Sequence, residues 1–274
     1  TDPECRAPGR ELVAVAAMAP PSVWAASEGA SPAPVTADGL GEVGGLAALI
    51  AASDAPPLVS VMLANNETGV VQPIADRAAL VERHGGILHC DMVQAAGRMP
   101  LEEYPVAMAS LSAHKIGGPQ GVGALVLRGN VELKPILRGG GQERNRRAGT
   151  ENVAGIVGFG AAARLLGERS ELSKEAGTLR DRMEARLRSD FSDAVIFGAN
   201  APRLANTSCF AIPGLRAETQ IMALDLAGIA VSAGSACSSG KVHESHVLRA
   251  MGIDRELGQC AIRVSFGPGN VEAD

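Results

Sequence analysis

The stretch that decides the fold is LVSVMLANNETGVVQPIADRAALVERHGGILHCD, residues 58–91. It contains two short apolar runs, residues 58–63 and 87–90, on either side of a segment with helical spacing of apolar residues, 73–83. A strand, a helix and a second strand in this order are typical of a βαβ unit, in which the two strands run parallel. The sequence therefore predicts an α/β fold with a mostly parallel central sheet.

The same alternation continues downstream. Residues 107–111 form a third apolar run, which stops at SAHK (residues 112–115), and residues 124–128 are predicted to be a strand antiparallel to its neighbour. Upstream, the stretch 30–45 is rich in Pro and Gly, and we predict a loop there.

The second half of the chain has a different pattern. Residues 158–167 and 171–188 have helical spacing, and shorter strand-like pieces follow them, namely AVIF, NTSCFAI, GIAVSAG and AIRVSF. We place a domain boundary near Gly167. The prediction is a large cofactor-binding domain, residues 1–167, and a small α+β domain, residues 168–274.

Composition excludes several classes of function. The chain has 274 residues, 46% of them hydrophobic, and a net charge of −5, so no basic excess indicates a nucleic acid or an anionic membrane as partner. No apolar run approaches the roughly 20 residues that cross a bilayer. The five cysteines are odd in number and form no CxxC pair, which disfavours a disulfide scaffold and a zinc ribbon and favours the cytoplasm.

The two ends of the sequence predict an incomplete protein. The first residues lack the basic and apolar regions of a secretory signal, they do not begin with Met, and the last residues read NVEAD. We expect the chain to be a fragment of a longer protein.

Polar side chains follow three consecutive predicted strands. They are Asn66, then Asp91, then Ser112, His114 and Lys115. Ligands of open α/β sheets bind outside the carboxyl ends of the strands, so these groups are expected to converge on one crevice.

The residue types in this crevice suit a pyridine cofactor with a phosphate. A partly desolvated lysine has a lowered pKa and forms Schiff bases, and a nearby aspartate keeps a pyridine nitrogen protonated. Gln94, one helical turn after Asp91, is placed to donate to the ring hydroxyl, while Ser112 and His114 are placed to bind the phosphate.

Each of these residues also has a purely structural interpretation. Asp91 alone would be a helix cap or a turn residue, Asn66 would cap a turn, and Lys115 would be a solvated charge. His89 lies in an apolar strand and is interpreted as a core histidine. We expect the remaining histidines that the site does not use, His84, His243 and His246, to be at the surface.

Cys237 and Arg263 are the candidate residues of the second half. Cys237 lies in SAGSACSSGK (residues 232–241), which has no apolar neighbours to bury it, as is typical of a reactive thiol. Cys90 and Cys209 lie inside apolar strands and are predicted to be structural. Arg263 interrupts the apolar run AIRVSF, and a substrate carboxylate and an internal salt bridge explain it equally well.

Five motifs resemble those of one known family. ANNETGVVQP, HCDMVQAAGR, SLSAHKIGGPQGVGAL, GGGQERNRRAGTEN and SAGSACSSGKVHESHVLRAMG are similar to segments of cysteine desulfurases of the NifS/IscS type. These are class V aminotransferase-like enzymes of fold type I that depend on pyridoxal 5'-phosphate. The resemblance extends from about Pro21 to Asn270.

The resemblance assigns a role to each candidate residue. It implies that Lys115 is the Schiff-base lysine, that Asp91 pairs with the pyridine nitrogen and that Ser112 and His114 bind the phosphate. The resemblance also implies the following contacts: Asn66 and Gln94 with the ring hydroxyl side, Asn66 and Arg263 with the substrate carboxylate, and Thr150 with the phosphate of the neighbouring subunit in a homodimer.

The implied reaction converts L-cysteine to L-alanine. The thiolate of Cys237 would attack the substrate sulfur, keep it as a persulfide and pass it to an iron–sulfur scaffold or another acceptor protein. Beyond contact of Cys237 with an iron–sulfur cluster during transfer, we predict no metal.

Two departures from the family leave alternatives open. The family's N-terminal phosphate loop has no counterpart here, and the position of a histidine that stacks on the cofactor is occupied by Pro20. One alternative is a non-catalytic desulfurase-like protein that acts in dimerisation or scaffold binding. Another is a different class V enzyme, such as a selenocysteine lyase.

Overall fold

A computed structural model describes residues 12–101, 104–129, 131–166, 170–233, 244–267 and 269–272. The chain divides into two compact units. The first comprises residues 1–33, 43–63 and 73–168, and the second comprises residues 34–42, 64–72 and 169–274. Two short segments of the second unit are thus inserted, in sequence, within the first.

The first unit is built on a six-stranded sheet. Its strands are β1 (Val13–Ala16), β2 (Ser31–Ala33), β3 (Leu58–Met62), β4 (Ile87–Asp91), β5 (Met108–Ser112) and β6 (Gly123–Leu127). The order across the sheet is β2-β1-β3-β4-β5-β6, in which every neighbouring pair is parallel except the last, β5 and β6. The predicted mostly parallel sheet and its antiparallel final strand are confirmed.

The helices described in the first unit are mostly short. They are α1 (Pro21–Ala25), α2 (Val43–Ala51), α3 (Ile74–Arg83), α4 (Gln142–Asn145) and α5 (Val153–Arg164), with a 3-10 helix at Ala113–Ile116. The helix predicted at 73–83 is confirmed as α3. Pro73 is its N-cap residue, a position where the missing N–H of proline costs no helical hydrogen bond. Its buried positions, among them Ile74, Ala78 and Val81, recur every three or four residues and so share one face.

The second unit contains a four-stranded antiparallel sheet. Its strands are β7 (Val195–Ile196), β8 (Thr207–Ala211), β9 (Ser232–Ala233) and β10 (Ala261–Ser265), in the order β7-β8-β10-β9. Its helices are α6 (Ser170–Asp190), α7 (Ala217–Leu226), α8 (His246–Ala250) and α9 (Arg255–Gly258). Ile196, Phe210, Ala217 and Ile262 form a buried apolar cluster in this unit.

Three details of the predicted secondary structure are wrong. The stretch 30–45, predicted as a loop, contains β2 and the start of α2, and strand β1 was not predicted at all. Both short strands pair in parallel with neighbours in the sheet, and that pairing outweighs the poor strand propensity of Ala and Pro. The helix predicted to start at residue 158 begins at Val153, because Asn152 caps it by accepting a hydrogen bond from the Gly155 N–H.

Within the described ranges, no helix has the length and hydropathy that would let it cross a bilayer.

Candidate active site

Asp91 is the last residue of strand β4. Its side chain is half-buried, and Oδ1 accepts a hydrogen bond of 2.9 Å from the Val93 N–H. Burial raises the pKa of this carboxyl, although the Val93 hydrogen bond lowers it. A half-buried carboxylate whose ionised form is disfavoured would be stabilised by a cationic N–H donor.

Strand β5 ends at Ser112, and the 3-10 helix that follows carries His114 and Lys115. Ser112 Oγ lies 2.9 Å from His114 Nδ1, so the hydroxyl and the imidazole are held together at the end of the strand. Because β4 and β5 are adjacent and parallel, Asp91 and Ser112 leave the sheet at the same edge. The side chains of His114 and Lys115 are exposed, and Gly117 ends the turn with a φ of 82°.

His89 fixes the lateral alignment of the strands that carry this edge. Its Nδ1 lies 2.8 Å from Ser60 Oγ on β3, and its Nε2 lies 2.7 Å from Ser110 Oγ on β5. Burial lowers the pKa of His89 to about 4, so the imidazole is neutral near pH 7. The interpretation of His89 as a core histidine is confirmed, as is the exposure of His84.

Gln94 and Thr150 are the other residues of the first unit that the sequence singled out. Gln94 is half-buried in a series of turns, where a helical turn was expected, and its carbonyl oxygen accepts a hydrogen bond from Arg98. Thr150 is exposed and follows the Gly- and Arg-rich segment that contains α4. In α4 three consecutive residues, Glu143 to Asn145, have φ values of 49°, 56° and 64°, which is left-handed backbone.

The second unit contains the Asn66 segment, residues 64–72. Asn65 caps its turn, because Oδ1 accepts hydrogen bonds from the backbone N–H groups of Glu67 (2.8 Å) and Thr68 (2.9 Å). The alternative that Asn66 caps the turn is therefore wrong. The neighbouring Asn65 satisfies the turn, which leaves Asn66 available for another role.

Asn66 and Arg263 lie against each other in the second unit. Arg263 Nη1 donates to the carbonyl oxygen of Asn66 at 2.7 Å, and Nη2 donates to Ser232 Oγ at 3.1 Å. Asn66 Oδ1 and Arg263 Nε are both buried without a hydrogen-bond partner among the described residues. Buried polar atoms are normally hydrogen-bonded, so these two atoms mark a place for a polar ligand.

The internal salt bridge considered for Arg263 is not formed within the part of the chain that the structure describes. The guanidinium donates to a carbonyl and a hydroxyl. Binding of a substrate carboxylate by this arginine stays a prediction.

Glu67 is a buried acidic residue that sequence reasoning missed. Only 3% of its surface is exposed, and the Ser245 hydroxyl donates to its Oε2 at 2.5 Å. Burial raises the pKa of Glu67 to about 7, against the opposing effects of the Ser245 hydrogen bond and the Arg263 charge. No local pattern indicates this burial, because an acidic residue in a polar turn is usually solvated and Ser245 is 178 positions away.

The cysteines fall into two groups. Cys90, Cys209 and Cys260 are buried and free, and burial raises the thiol pKa of Cys90 to about 12 and also raises that of Cys209. The prediction that Cys90 and Cys209 are structural is confirmed. Cys237 lies outside the described residues, as does His243. His246, expected at the surface, is half-buried at the start of α8.

The described residues contain no group of three or more His, Cys, Asp or Glu side chains that would hold a metal ion.

The donors at the edge of the first sheet fit a phosphorylated pyridine. A hydroxyl and an imidazole follow β5 together with a primary amine, and a carboxylate with a raised pKa ends β4. Anionic phosphate is bound by hydroxyl and imidazole donors, and a pyridinium N–H by a carboxylate.

The chain is similar in sequence to members of a known family. Residues 20–274 match the aminotransferase class-V family. The cysteine desulfurase of Enterobacter agglomerans is 44% identical over 218 residues, which are 79% of this chain and 54% of that protein. The IscS-like cysteine desulfurase of Mycobacterium tuberculosis is 40% identical over 245 residues, 88% of this chain and 62% of that protein. The chain thus spans little more than half the length of these curated relatives.

Solved structures give the same result. The NifS-like protein from Rickettsia africae superposes with a TM-score of 0.88 at 33% identity, covering 98% of this chain and 73% of that one. SspA, solved in complex with cysteine, has a TM-score of 0.75 at 26% identity and covers 96% of this chain and 75% of that one. The α/β fold class is confirmed. The chain belongs to the class-V aminotransferase family, in which it is related to the cysteine desulfurases of the NifS/IscS type.

Proposed function

We propose that the chain belongs to a pyridoxal 5'-phosphate-dependent cysteine desulfurase that converts L-cysteine to L-alanine and a protein-bound persulfide. The observation that carries the proposal is the donor set at the ends of β4 and β5, in a chain that is 44% identical to a cysteine desulfurase. The cysteine in the SspA complex supports L-cysteine as the substrate.

The residues of the first unit would hold the cofactor. Asp91 would accept a hydrogen bond from the pyridine nitrogen, and the resulting ion pair would offset the cost of its burial. Ser112 and His114 would donate to the phosphate, Gln94 would donate to the ring hydroxyl, and the Lys115 amine would bind the aldehyde carbon. When bound, the cofactor supplies an electron sink for the α-carbon of the amino acid.

The remaining steps belong to side chains of this chain. Arg263 would bind the substrate carboxylate through its Nε, which lacks a partner in the second unit. Asn66 would donate to the same carboxylate from its side-chain Nδ2. Lys115 would move the proton at the substrate α-carbon. The Cys237 thiolate would attack the substrate sulfur, so that an S–S bond forms, the C–S bond breaks and alanine leaves after protonation of its β-carbon.

We further propose that the chain works as a homodimer in which Thr150 contacts the phosphate of the partner's cofactor. Apolar side chains exposed on α5 support this proposal, since Val153, Ile156 and Val157 are 65%, 45% and 64% exposed and follow Thr150 closely in sequence. Exposed apolar patches commonly mark protein interfaces. A Val157→Asp variant that stays dimeric in multi-angle light scattering would contradict this use of α5.

The division into a cofactor-binding domain, residues 1–167, and a small domain with Cys237, residues 168–274, is part of the same proposal. So are a cytoplasmic location and transfer of the persulfide sulfur to an iron–sulfur scaffold or another acceptor protein. The free thiols of the three described cysteines support a reducing compartment.

The test is the visible absorption spectrum of the protein with pyridoxal 5'-phosphate, before and after addition of L-cysteine. We expect a cofactor band that shifts with cysteine, together with alanine formation, and a Lys115→Ala variant that has neither. Lys134→Ala is the matched control, because Lys134 is an exposed lysine outside the proposed site.

Pro20 makes a non-catalytic role the second candidate. The resemblance implies a histidine at this position, which stacks on the cofactor. Pro20 is the N-cap residue of α1, and proline has neither an aromatic face nor a titrating nitrogen. Folded protein that gives no cofactor band would favour the dimerisation or scaffold role.

A further inference from the structure

The buried Glu67 carboxylate has no role in the proposed reaction. It is held in the second unit by the turn that Asn65 caps and by the Ser245 hydroxyl. That hydroxyl also accepts a hydrogen bond of 3.0 Å from the Leu248 N–H, so its only hydrogen is committed to Glu67. The contact therefore joins the Asn66 segment to the start of α8.

Glu67 also lies in the electric field of the anion site. Arg263 donates to the carbonyl oxygen of Asn66, the residue next to Glu67, and its positive charge acts on the Glu67 carboxylate. Asn66 Oδ1 and Arg263 Nε are both buried and have no hydrogen-bond partner among the described residues. The site thus combines one cation, one titratable acid and two unused polar atoms.

The groups that act on Glu67 come from three elements. Ser245 donates from the start of α8, Arg263 acts from β10, and the buried Cys209 thiol interacts with it from β8. The positive charge of Arg203, which precedes β8, lowers the pKa of the Cys209 thiol. Residues 64–72 contain no titratable side chain other than Glu67.

We propose that Glu67 is a positioning residue that takes up one proton from solvent when a carboxylate binds to Arg263. The charge balance gives the reason. With an ionised Glu67, the Arg263 and Glu67 charges sum to zero, and a bound carboxylate would leave a net negative charge in a buried place. A proton on Glu67 restores neutrality, and the neutral acid still accepts the Ser245 hydrogen bond at its carbonyl oxygen.

Linkage makes the coupling reciprocal. If a carboxylate at Arg263 favours the protonated form of Glu67, then deprotonation of Glu67 weakens carboxylate binding by the same factor. Because burial raises the pKa of Glu67 to about 7, this coupling would operate near neutral pH. In its application to L-cysteine, this inference rests on the proposed function.

The first experiment needs neither cofactor nor turnover. Protein labelled with ¹³C at the glutamate δ carbons is titrated by NMR, and the Glu67 signal is assigned by its loss in Glu67→Gln. We expect a titration midpoint near 7, which 100 mM sodium propionate raises by about half a pH unit or more. We also expect a higher midpoint in Arg263→Gln, which propionate no longer moves.

Ser245→Ala provides a second variant should Arg263→Gln not fold. Loss of the hydroxyl that favours the ionised carboxylate should raise the Glu67 midpoint, while propionate should still raise it further. A midpoint near 4.5, or one that propionate leaves unchanged in the wild-type protein, would overturn the inference.

The second experiment tests the coupling in the cofactor-loaded protein. The protein is titrated with L-alanine, the proposed product, in a calorimeter and in two buffers of different ionisation enthalpy. The difference between the two heats of binding gives the number of protons taken up. At pH 8 we expect the wild-type protein to take up more protons than Glu67→Gln, and at pH 6 we expect a much smaller difference. Glu256→Gln, a change of an exposed glutamate on α9, should match the wild-type protein.

The two experiments separate this inference from the proposed function. A protein that turns over cysteine but shows equal proton uptake in the wild type and Glu67→Gln overturns the inference alone. A protein that never binds the cofactor overturns the proposed function, and the propionate titration still decides whether Glu67 responds to a carboxylate at Arg263.

Discussion

Arg203 and Glu184 form a bidentate ion pair in the second unit, with N–O distances of 2.6 and 2.9 Å. Both side chains are buried, 8% and 5% exposed, and the Ser208 hydroxyl donates to the same carboxylate at 2.7 Å. The backbone around Arg203 holds the Asn66 segment, because Pro202 O accepts from the Val71 N–H and the Leu204 N–H donates to Gly69 O. The ion pair therefore supports the segment that carries Asn66 and Glu67.

Glu184→Ala should destabilise the protein strongly. The change leaves the buried Arg203 without its counter-charge, and loss of one partner of a buried pair typically costs about 3–5 kcal/mol of unfolding free energy. Urea denaturation measures the cost. Arg186→Ala removes an exposed ion pair with Asp190 and should change the unfolding free energy by less than about 1 kcal/mol. Similar losses in both variants would contradict a supporting role for the buried pair.

Gly69→Ala should lower the free energy of unfolding more than Gly214→Ala does. Both glycines have left-handed backbone, with φ of +74° and +80°, so alanine is strained at either position by about 1–2 kcal/mol. At Gly69 an added Cβ would also lie 3.0 Å from Thr207 Cβ, whereas nothing lies within 4 Å at Gly214. We expect the Gly69 variant to lose about 1–3 kcal/mol more in urea denaturation. Equal losses would rule out the close approach to Thr207.

His89 should make the protein less stable in mild acid. Its pKa is about 4 in the folded chain, against an ordinary value of 6.5, so the unfolded chain binds more protons between these values. Stability from the neutral imidazole is therefore complete above pH 6.5 and falls as the pH drops to 4, by up to about 3 kcal/mol. Urea denaturation at pH 7 and pH 4.5 should show a smaller drop for His89→Gln. An equal drop in the variant would assign the acid sensitivity to other groups.

Asp91→Asn should separate activity from stability. Burial disfavours the ionised carboxylate, and asparagine keeps an oxygen for the Val93 N–H, so the unfolding free energy at pH 7 should not fall. Alanine formation should drop by about 100-fold or more, because a neutral amide does not stabilise a pyridinium. Glu151→Gln, a change of an exposed acid, is the control. Activity retained in Asp91→Asn would remove Asp91 from the cofactor site.

Cys237→Ser should bind the cofactor but release no sulfur. The hydroxyl does not form a persulfide, whereas none of the proposed cofactor contacts uses Cys237. We expect a wild-type cofactor band and no sulfide on addition of L-cysteine and dithiothreitol. Cys260→Ser, a change at a buried free thiol, provides the comparison. Sulfide formation by Cys237→Ser would refute its role as the nucleophile.

The sequence predicted the first sheet from residue 58 onward because local patterns determine it. Apolar runs on either side of an amphipathic helix identify parallel strands without any knowledge of their partners. Strands β1 (Val13–Ala16) and β2 (Ser31–Ala33) escaped prediction because alanine and proline have poor strand propensity. Pairing within the sheet makes these segments strands.

The site was predictable to the extent that its residues lie at strand ends. Asp91, Ser112, His114 and Lys115 stand where β4 and β5 stop, which the pattern locates. Glu67 was not predictable, because its burial depends on Ser245 and β10, both far away in sequence. Nor did spacing decide between the two interpretations of Arg263, since its contacts with Asn66 and Ser232 exist only in the folded unit.

The interleaving of the two units has a consequence for synthesis of the protein. During translation, residues 64–72 leave the ribosome well before β8 (Thr207–Ala211), whose first residue contacts Gly69. At elongation rates of about 5–20 residues per second, the interval is roughly 7–27 seconds. Throughout that time Glu67 lacks the Ser245 hydroxyl that donates to it in the folded protein. The nascent chain must keep this segment in water until its carboxyl-terminal half arrives.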